Sequence, residues 1–469
     1  MNYFQSHSLP ADAGVVAAWE SETARAREIP LLARLIAERG AELYPEFVKR
    51  YAEVRALSRS TRRALQRRLA ASRDLTAIPA EWRRRLAYSI AGAALLLVLS
   101  DGPTQAGTIT VGAGCTLTQA ILSANAGTNV GSCTGATASP NTIVIPAKTK
   151  ITLTTYYPGP YSATGLPNVT STITINGNGA SISRSKKGPA MRLMTVGHNG
   201  DLTLNNLTLS AGYSYYGGGA IYNAGILEVN NCIISGNFSY SGAIANAGAN
   251  QNNTLAVGNT TITGTTFTKN GAYAYGGAIY NIYGDVDVVN STITGNRADT
   301  GGGIDNGYQG SMAITNSTVS KNTAYLGGGV SNYKGDITID PTTITGNKAY
   351  FGGGIATYRG GMYLEDSTLS KNSSRFGGGG ILNINSTVTV ENSSLITGNK
   401  GGRYGGGVLN CGVFTLTSST ITGNSAKVAG GGVANINGTY GSYSCNYSFT
   451  DNGTVTGNKA KFYANVFYY

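Results

Sequence analysis

A short pattern recurs through most of this chain, and its period limits what the chain can fold into. One anchor reads Gly-Gly, a small residue, an aliphatic residue and, two places on, Asn. It occurs as Gly218-Gly219-Ala220-Ile221-Tyr222-Asn223 and again at 276–281, 301–306 and 327–332, and its aliphatic position recurs at Ile355, Ile381, Val408 and Val433. The second anchor, Ser/Thr-Thr-aliphatic-Thr/Ser-Gly/Lys-Asn, closes on Asn296, Asn322, Asn347, Asn372, Asn399 and Asn424, at gaps of 26, 25, 25, 27 and 25 residues. Between the anchors lie alternating stretches such as Asp336-Ile337-Thr338-Ile339 and Thr387-Val388-Thr389-Val390, the period-two pattern of half-buried strands. Strands this short cannot bury a core alone, and no segment within a period is long enough for a crossover helix. Stacked coils are the remaining solution.

The expected fold is therefore all-β, a right-handed single-stranded parallel β-helix of about 25 residues per coil, its hand following from the crossover rule. Glycine runs allow positive φ and close backbone approach at the corners. An Asn at the same place in each coil can pair its amide with the Asn above and below. Over residues 137–469 this predicts about thirteen coils, each rising about 4.8 Å, and a rod of roughly 60 Å. Composition agrees: glycine, at 66 of 469 residues, is about twice its usual share, yet 12 prolines and the lack of a third-residue period exclude collagen.

The first hundred residues are made differently. They hold both tryptophans, Trp19 and Trp82, and an Arg-rich helical pattern over residues 17–73, with Arg62, Arg63, Arg67 and Arg68 forming a basic face. Next come Arg83, Arg84 and Arg85, an apolar run over 86–99 and small residues up to Ala106, the order of a secretory signal. That run is too short to span a bilayer comfortably, so cleavage near Ala106 is expected over a permanent anchor, and the protein is expected to meet the membrane only through this signal segment. The sequence thus divides into an Arg-rich leader (1–85), a signal core and cleavage region (86–106), an N-terminal cap (107–136) and the repeats (137–469). Export permits disulfides. Cys115 with Cys133 and Cys411 with Cys445 are the expected pairs, which leaves Cys232 alone.

The repeats resemble those of bacterial right-handed β-helix surface proteins with the pectin-lyase-like fold, including the chlamydial polymorphic outer-membrane proteins. Their GGAI and FxxN tetrads appear as Gly276-Gly277-Ala278-Ile279 and Phe267-Thr268-Lys269-Asn270. The segment from Cys115 to Asn125 is similar to the CSLREA-type segment that precedes such helices, with Thr116, Thr118 and Gln119 in place of its Ser, Arg and Glu. It reads as a short amphipathic helix capping the first coil. The resemblance implies an exported bacterial protein, secreted or at the cell surface.

Residues one period apart become neighbours in stacked coils, so three surface columns can be read vertically. A basic column alternates about the anchor Asn: Lys269, Arg297, Lys321, Lys348, Lys371 and Lys400. It suits either an acidic glycan or, more simply, a solubilising edge that blocks lateral pairing. An acidic column, Asp340, Glu365 and Glu391, is the only constellation for a glycosidase-like or calcium-binding reading, but each acid follows an inward aliphatic and faces outward with no pocket to tune it. An aromatic column, Tyr216, Tyr275, Phe351, Phe376 and Tyr404, precedes the glycines, with Tyr325 and Tyr350 one place further back; it suits sugar stacking or simple ring-on-ring cover of a turn.

Pectin-degrading β-helices are the rival class. The repeat region has no tryptophan, no adjacent aspartates and one histidine, His198, so the paired acids and Gly-His-Gly constellation of those hydrolases find no match. No metal-ligand spacing occurs, no cofactor is implied and no nucleic acid is expected. The functional expectation is a non-enzymatic, adhesin-like or structural element. Its expected partners are a cell-surface glycan or acidic polysaccharide, and other copies stacked end to end into filaments. The alternative is a polysaccharide-binding or polysaccharide-degrading enzyme that uses Asp340, Glu365 and Glu391.

Overall fold

Period-two strands closed by glycine corners build one continuous solenoid in the computed structural model. The structure describes residues 107–469 except 160–161, 249–257 and 441–442, together with scattered residues of the first hundred that include the helix Ile90–Ser100. The chain forms two compact units, Met1–Gln105 and Ala106–Tyr469.

In the first unit the apolar run supplies a core. Ala93, Ala94, Leu95 and Leu96 are fully buried in a cluster with Trp19, Phe47, Val54 and Leu69, and Trp19 meets Phe47 edge-on at 4.8 Å. No described helix is long and apolar enough to cross a membrane. Arg63, Arg67 and Arg68 of the basic face, Arg84 and Arg85 of the arginine cluster, and the cleavage region at 101–106 lie outside the described residues.

The second unit is the expected right-handed parallel β-helix, with four strand ladders per coil. The first ladder is set by the Gly-Gly anchor and runs through Ile279–Ile282, Ile304–Gly307, Val330–Tyr333 and Ile355–Tyr358. The second holds the alternating stretches, among them Ser311–Thr315, Asp336–Ile339 and Gly361–Glu365. The third, including Ser317–Ser320, Thr342–Thr345 and Thr368–Ser370, leads into the Asn anchor. The fourth, including Thr323–Leu326, Lys348–Phe351 and Ser373–Gly377, leads back to the glycines. Inward residues such as Ile304, Ile314, Val319 and Ile344 are completely buried and form one core along the axis.

Between Met194 and Val466 the described first-ladder strands mark ten turns averaging about 27 residues, longer than the 25 expected. The difference comes from coils that are longer than the repeat. Gly107 pairs with Asn141 and Thr172 with Asp201 in the early coils, and Val413 pairs with Ser448 across an inserted hairpin. Gly107–Thr110 is already a strand of the solenoid, so the cap is an insertion after the first strand. The capping helix spans Leu117–Ala126 and begins at Thr116 with a capping box in which Gln119 answers it, so two of the three departures from the family pattern still satisfy the helix start. Asn125 ties the helix to the next coil by donating to the Asn168 carbonyl and accepting from the Thr170 amide.

Three corners carry buried polar ladders. Asn281 donates from Nδ2 to Asn306 Oδ1 at 2.8 Å, and Asn306 in turn to Asn332 Oδ1 at 2.9 Å, between the first and second ladders. Asn296, Asn322, Asn347, Asn372, Asn399 and Asn424 do the same between the third and fourth, at 2.9 to 3.1 Å. At the remaining corner the Ser291, Ser317, Thr342 and Ser367 hydroxyls accept the backbone N–H of the preceding coil. Each ladder satisfies backbone donors that the turn leaves without a strand partner.

The alternation of the basic column has a backbone cause. The residue before each anchor Asn is left-handed, and it is filled in turn by Gly295, Lys321, Gly346, Lys371 and Gly398, with φ between 54 and 66°. Where glycine takes the corner, the cation moves to the far side of the Asn. Only the Lys321 side chain, at 4.0 Å, comes near the missing Cβ of Gly346, so Gly346→Ala should lower the unfolding free energy by about 1 kcal/mol through φ. An unchanged urea midpoint would show that this corner tolerates the strain.

A groove between two aromatic walls

The outward positions of the first ladder make the floor of a groove. In register from coil to coil they are Tyr280, Asp305, Ser331, Ala356, Leu382 and Leu409. The floor therefore passes from an acid and a hydroxyl to purely aliphatic side chains. One wall comes from the fourth ladder and its glycine corner: Tyr275, Tyr325, Phe351 and Phe376. The other follows the anchor Asn and contains Tyr308, Tyr333 and Tyr358. The enclosed space is about 640 Å³, within the range of small-molecule sites.

Both walls are rigid because their rings stack on each other. Tyr333 lies over Tyr358 at 5.2 Å with planes 7° apart, and Tyr325 over Tyr350 at 5.1 Å and 15°. At the polar end Tyr275 and Tyr280 stack across the groove at 5.3 Å. Cations of the chain cover outer rings: Lys334 Nζ lies 5.4 and 5.2 Å from the centres of Tyr308 and Tyr333, and the Arg359 guanidinium 5.0 Å from Tyr358. At the aliphatic end the disulfide Cys411–Cys445 pins the hairpin Gly438–Tyr440/Tyr443–Cys445 to the same outer face, where Leu382, Ile384, Leu409 and Ile436 are buried with it.

Asp305 is the exceptional residue of the floor. It is 2% exposed, Ser331 hydrogen-bonds its carboxyl, and its Oδ1 has no hydrogen-bond partner. Burial pushes the carboxyl up to about 7, opposed by the Ser331 bond. Tyr280 is held well above the usual phenol range, first by burial and then by Asp305.

The sequence columns divide on this geometry. Tyr275, Phe351 and Phe376, with Tyr325, come together in the groove wall. Tyr404 lies beyond it, stacked on Phe467 at 6.3 Å, and Tyr216 stands 65% exposed. Lys269, Arg297, Lys321, Lys348, Lys371 and Lys400 are all exposed, and Thr323 and Ser373 separate the coil positions of Arg297, Lys348 and Lys400. Glu365 and Glu391 are register partners at the end of the second ladder, next to Asp340, on a face separate from the groove. Among the described residues no group of His, Cys, Asp and Glu is placed to hold a metal ion. Both expected disulfides are formed, and Cys232 is buried with its thiol pushed up to about 11 by burial.

Asp305, Tyr280, Tyr308, Tyr333 and Tyr358 were not legible as a site in the columns. A signal existed: Asp305 is the acid in a Gly-Gly anchor whose equivalent positions hold Tyr, Ser, Ala or Leu. Comparison with protein-family models, curated proteins and solved structures finds no match for this chain.

Proposed function

We propose that this chain is an exported, non-enzymatic β-helix that acts as an adhesin-like binding element, with the aromatic groove as its ligand site. The observation that carries this reading is the groove itself, two stacked-ring walls over a floor graded from Asp305 to Leu382. A rigid solenoid holds such a surface open at no conformational cost on binding. The resemblance to bacterial surface β-helices and the signal-like segment before residue 107 support placement outside the cell.

The enzyme reading lacks a second acid. Asp340, Glu365 and Glu391 stand on another face, and acid–base hydrolysis of a glycoside needs two carboxyls facing one bond. Incubating residues 107–469 with a panel of neutral and acidic polysaccharides should release no reducing ends or unsaturated products. Turnover that disappears in Asp305→Asn or Glu365→Gln would overturn the non-enzymatic assignment.

A further inference from the structure

The polar end of the groove has the composition of a site for a cation. A buried carboxylate oxygen with no hydrogen-bond partner is costly unless something meets it. Around Asp305 stand Tyr275, Tyr280, Tyr308 and Tyr333, whose π-systems attract positive charge and repel negative charge. Lys334 already demonstrates this attraction, since its ammonium sits against Tyr308 and Tyr333. A metal ion would need several oxygen ligands, chiefly carboxylates, and Asp305 is the one carboxylate among the described residues that line the groove. Beyond Ser331 the floor turns to Ala356 and Leu382, with Ile384 beside them in the wall position of Tyr358, and these side chains can bury an aliphatic chain.

We infer that the groove binds an organic ammonium carrying an aliphatic tail, with the ammonium against Asp305 in the tyrosine cage and the tail along Ala356, Leu382 and Ile384. This rests on the reading of the groove as the ligand site and names the ligand class. From Asp305 to Leu382 is three coil steps, about 14 Å, so an eight-carbon tail lies within the groove. The head group meets an acid that titrates near neutrality, so binding should draw the carboxyl into its ionised form and release a proton at acid pH. The other titratable and charged groups around it are Tyr275, Tyr280, Tyr308, Tyr333, Lys334 and Asp299; burial first holds Tyr275 and Tyr280 above the ordinary phenol range, and a hydrogen bond with Tyr333 does so for Tyr308, clear of this window.

Calorimetric titration with three probes of one tail tests the inference: octyltrimethylammonium, octyl glucoside and octyl sulfate, each below its micelle concentration. The ammonium should bind at pH 8 at least tenfold more tightly than the other two. Its affinity should fall about tenfold per pH unit below 6, and Asp305→Asn should remove most of the preference while the tail still binds. Tyr333→Leu should weaken the ammonium severalfold and leave octyl glucoside unchanged, and circular dichroism checks that both variants keep their coils. Equal binding of ammonium and glucoside would overturn the ligand class and leave the groove as a site. Binding of none of the three would overturn both.

Discussion

Asp305→Asn should stabilise the solenoid at pH 8 and lose that advantage at pH 4. The native carboxyl titrates near 7, while in the unfolded chain it titrates at about 3.8. Below pH 4 both states carry the proton and no penalty arises. As pH rises from about 4 to 7 the unfolded chain releases its proton and the folded chain retains it, so folding stability falls across this window and stays low above it. Three units correspond to a ceiling of about 4 kcal/mol. The asparagine amide gives back part of this gain, because its own buried polar atoms need partners, so a net gain of about 1 to 3 kcal/mol at pH 8 is expected. The tryptophans lie in the first unit, so far-UV circular dichroism in urea is the suitable probe for the coils. Parallel wild-type and variant midpoints from pH 4 to 8 would show that Asp305 is not held protonated by burial. A fold that keeps such an acid at the floor of a groove pays for it in stability, as binding sites commonly do.

Asn347→Ala should be among the most damaging single substitutions in the coils. Asn347 Oδ1 accepts from both the backbone N–H and the Nδ2 of Asn322, at 2.9 and 3.1 Å, and its own Nδ2 donates to the Val319 carbonyl at 2.9 Å and to Asn372 Oδ1 at 3.0 Å. Truncation leaves the Asn322 donors and the Val319 acceptor buried and unanswered. At about 1 to 3 kcal/mol for each such group, the loss should be about 3 to 6 kcal/mol. Neighbouring Lys348 is exposed on the same turn, and Lys348→Ala should stay within about 0.5 kcal/mol of wild type. Because a solenoid is stabilised coil by coil, the damage should appear in hydrogen exchange as faster opening of the coils around 319–372 and leave the helix-capped end protected. Uniform exchange across all coils would argue against such local coupling.

Much of this architecture was readable from residue order because stacking converts sequence period into spatial neighbourhood. The 25-to-26-residue gaps, the glycines at corners and the alternating strands needed only periodicity and backbone geometry to interpret. The two cysteine pairs came from export and separation, and both close. The coil count was less accurate, since the long early coils and the hairpin at 438–445 break the period that the estimate assumed. The Ser/Thr ladder at the third corner passed unnoticed because Ser291, Ser317, Thr342 and Ser367 look like ordinary strand-end residues until their hydroxyls meet the next backbone.

Residue order alone thus determined the repeating coil and which side chains form its core, because those follow from a period and from the two faces of a strand. The groove was decided by tertiary structure. Its walls join the residues before the glycines, such as Tyr275 and Phe351, to residues after the Asn, such as Tyr333 and Tyr358, and they enclose one outward position of the strand between. In sequence only the residues before the glycines stood out as a column, and Asp305, Tyr333 and Tyr358 belonged to none. Only the curvature of the coil at its glycine corner brings the two aromatic walls together, and only that enclosure takes Asp305 out of water and changes its chemistry.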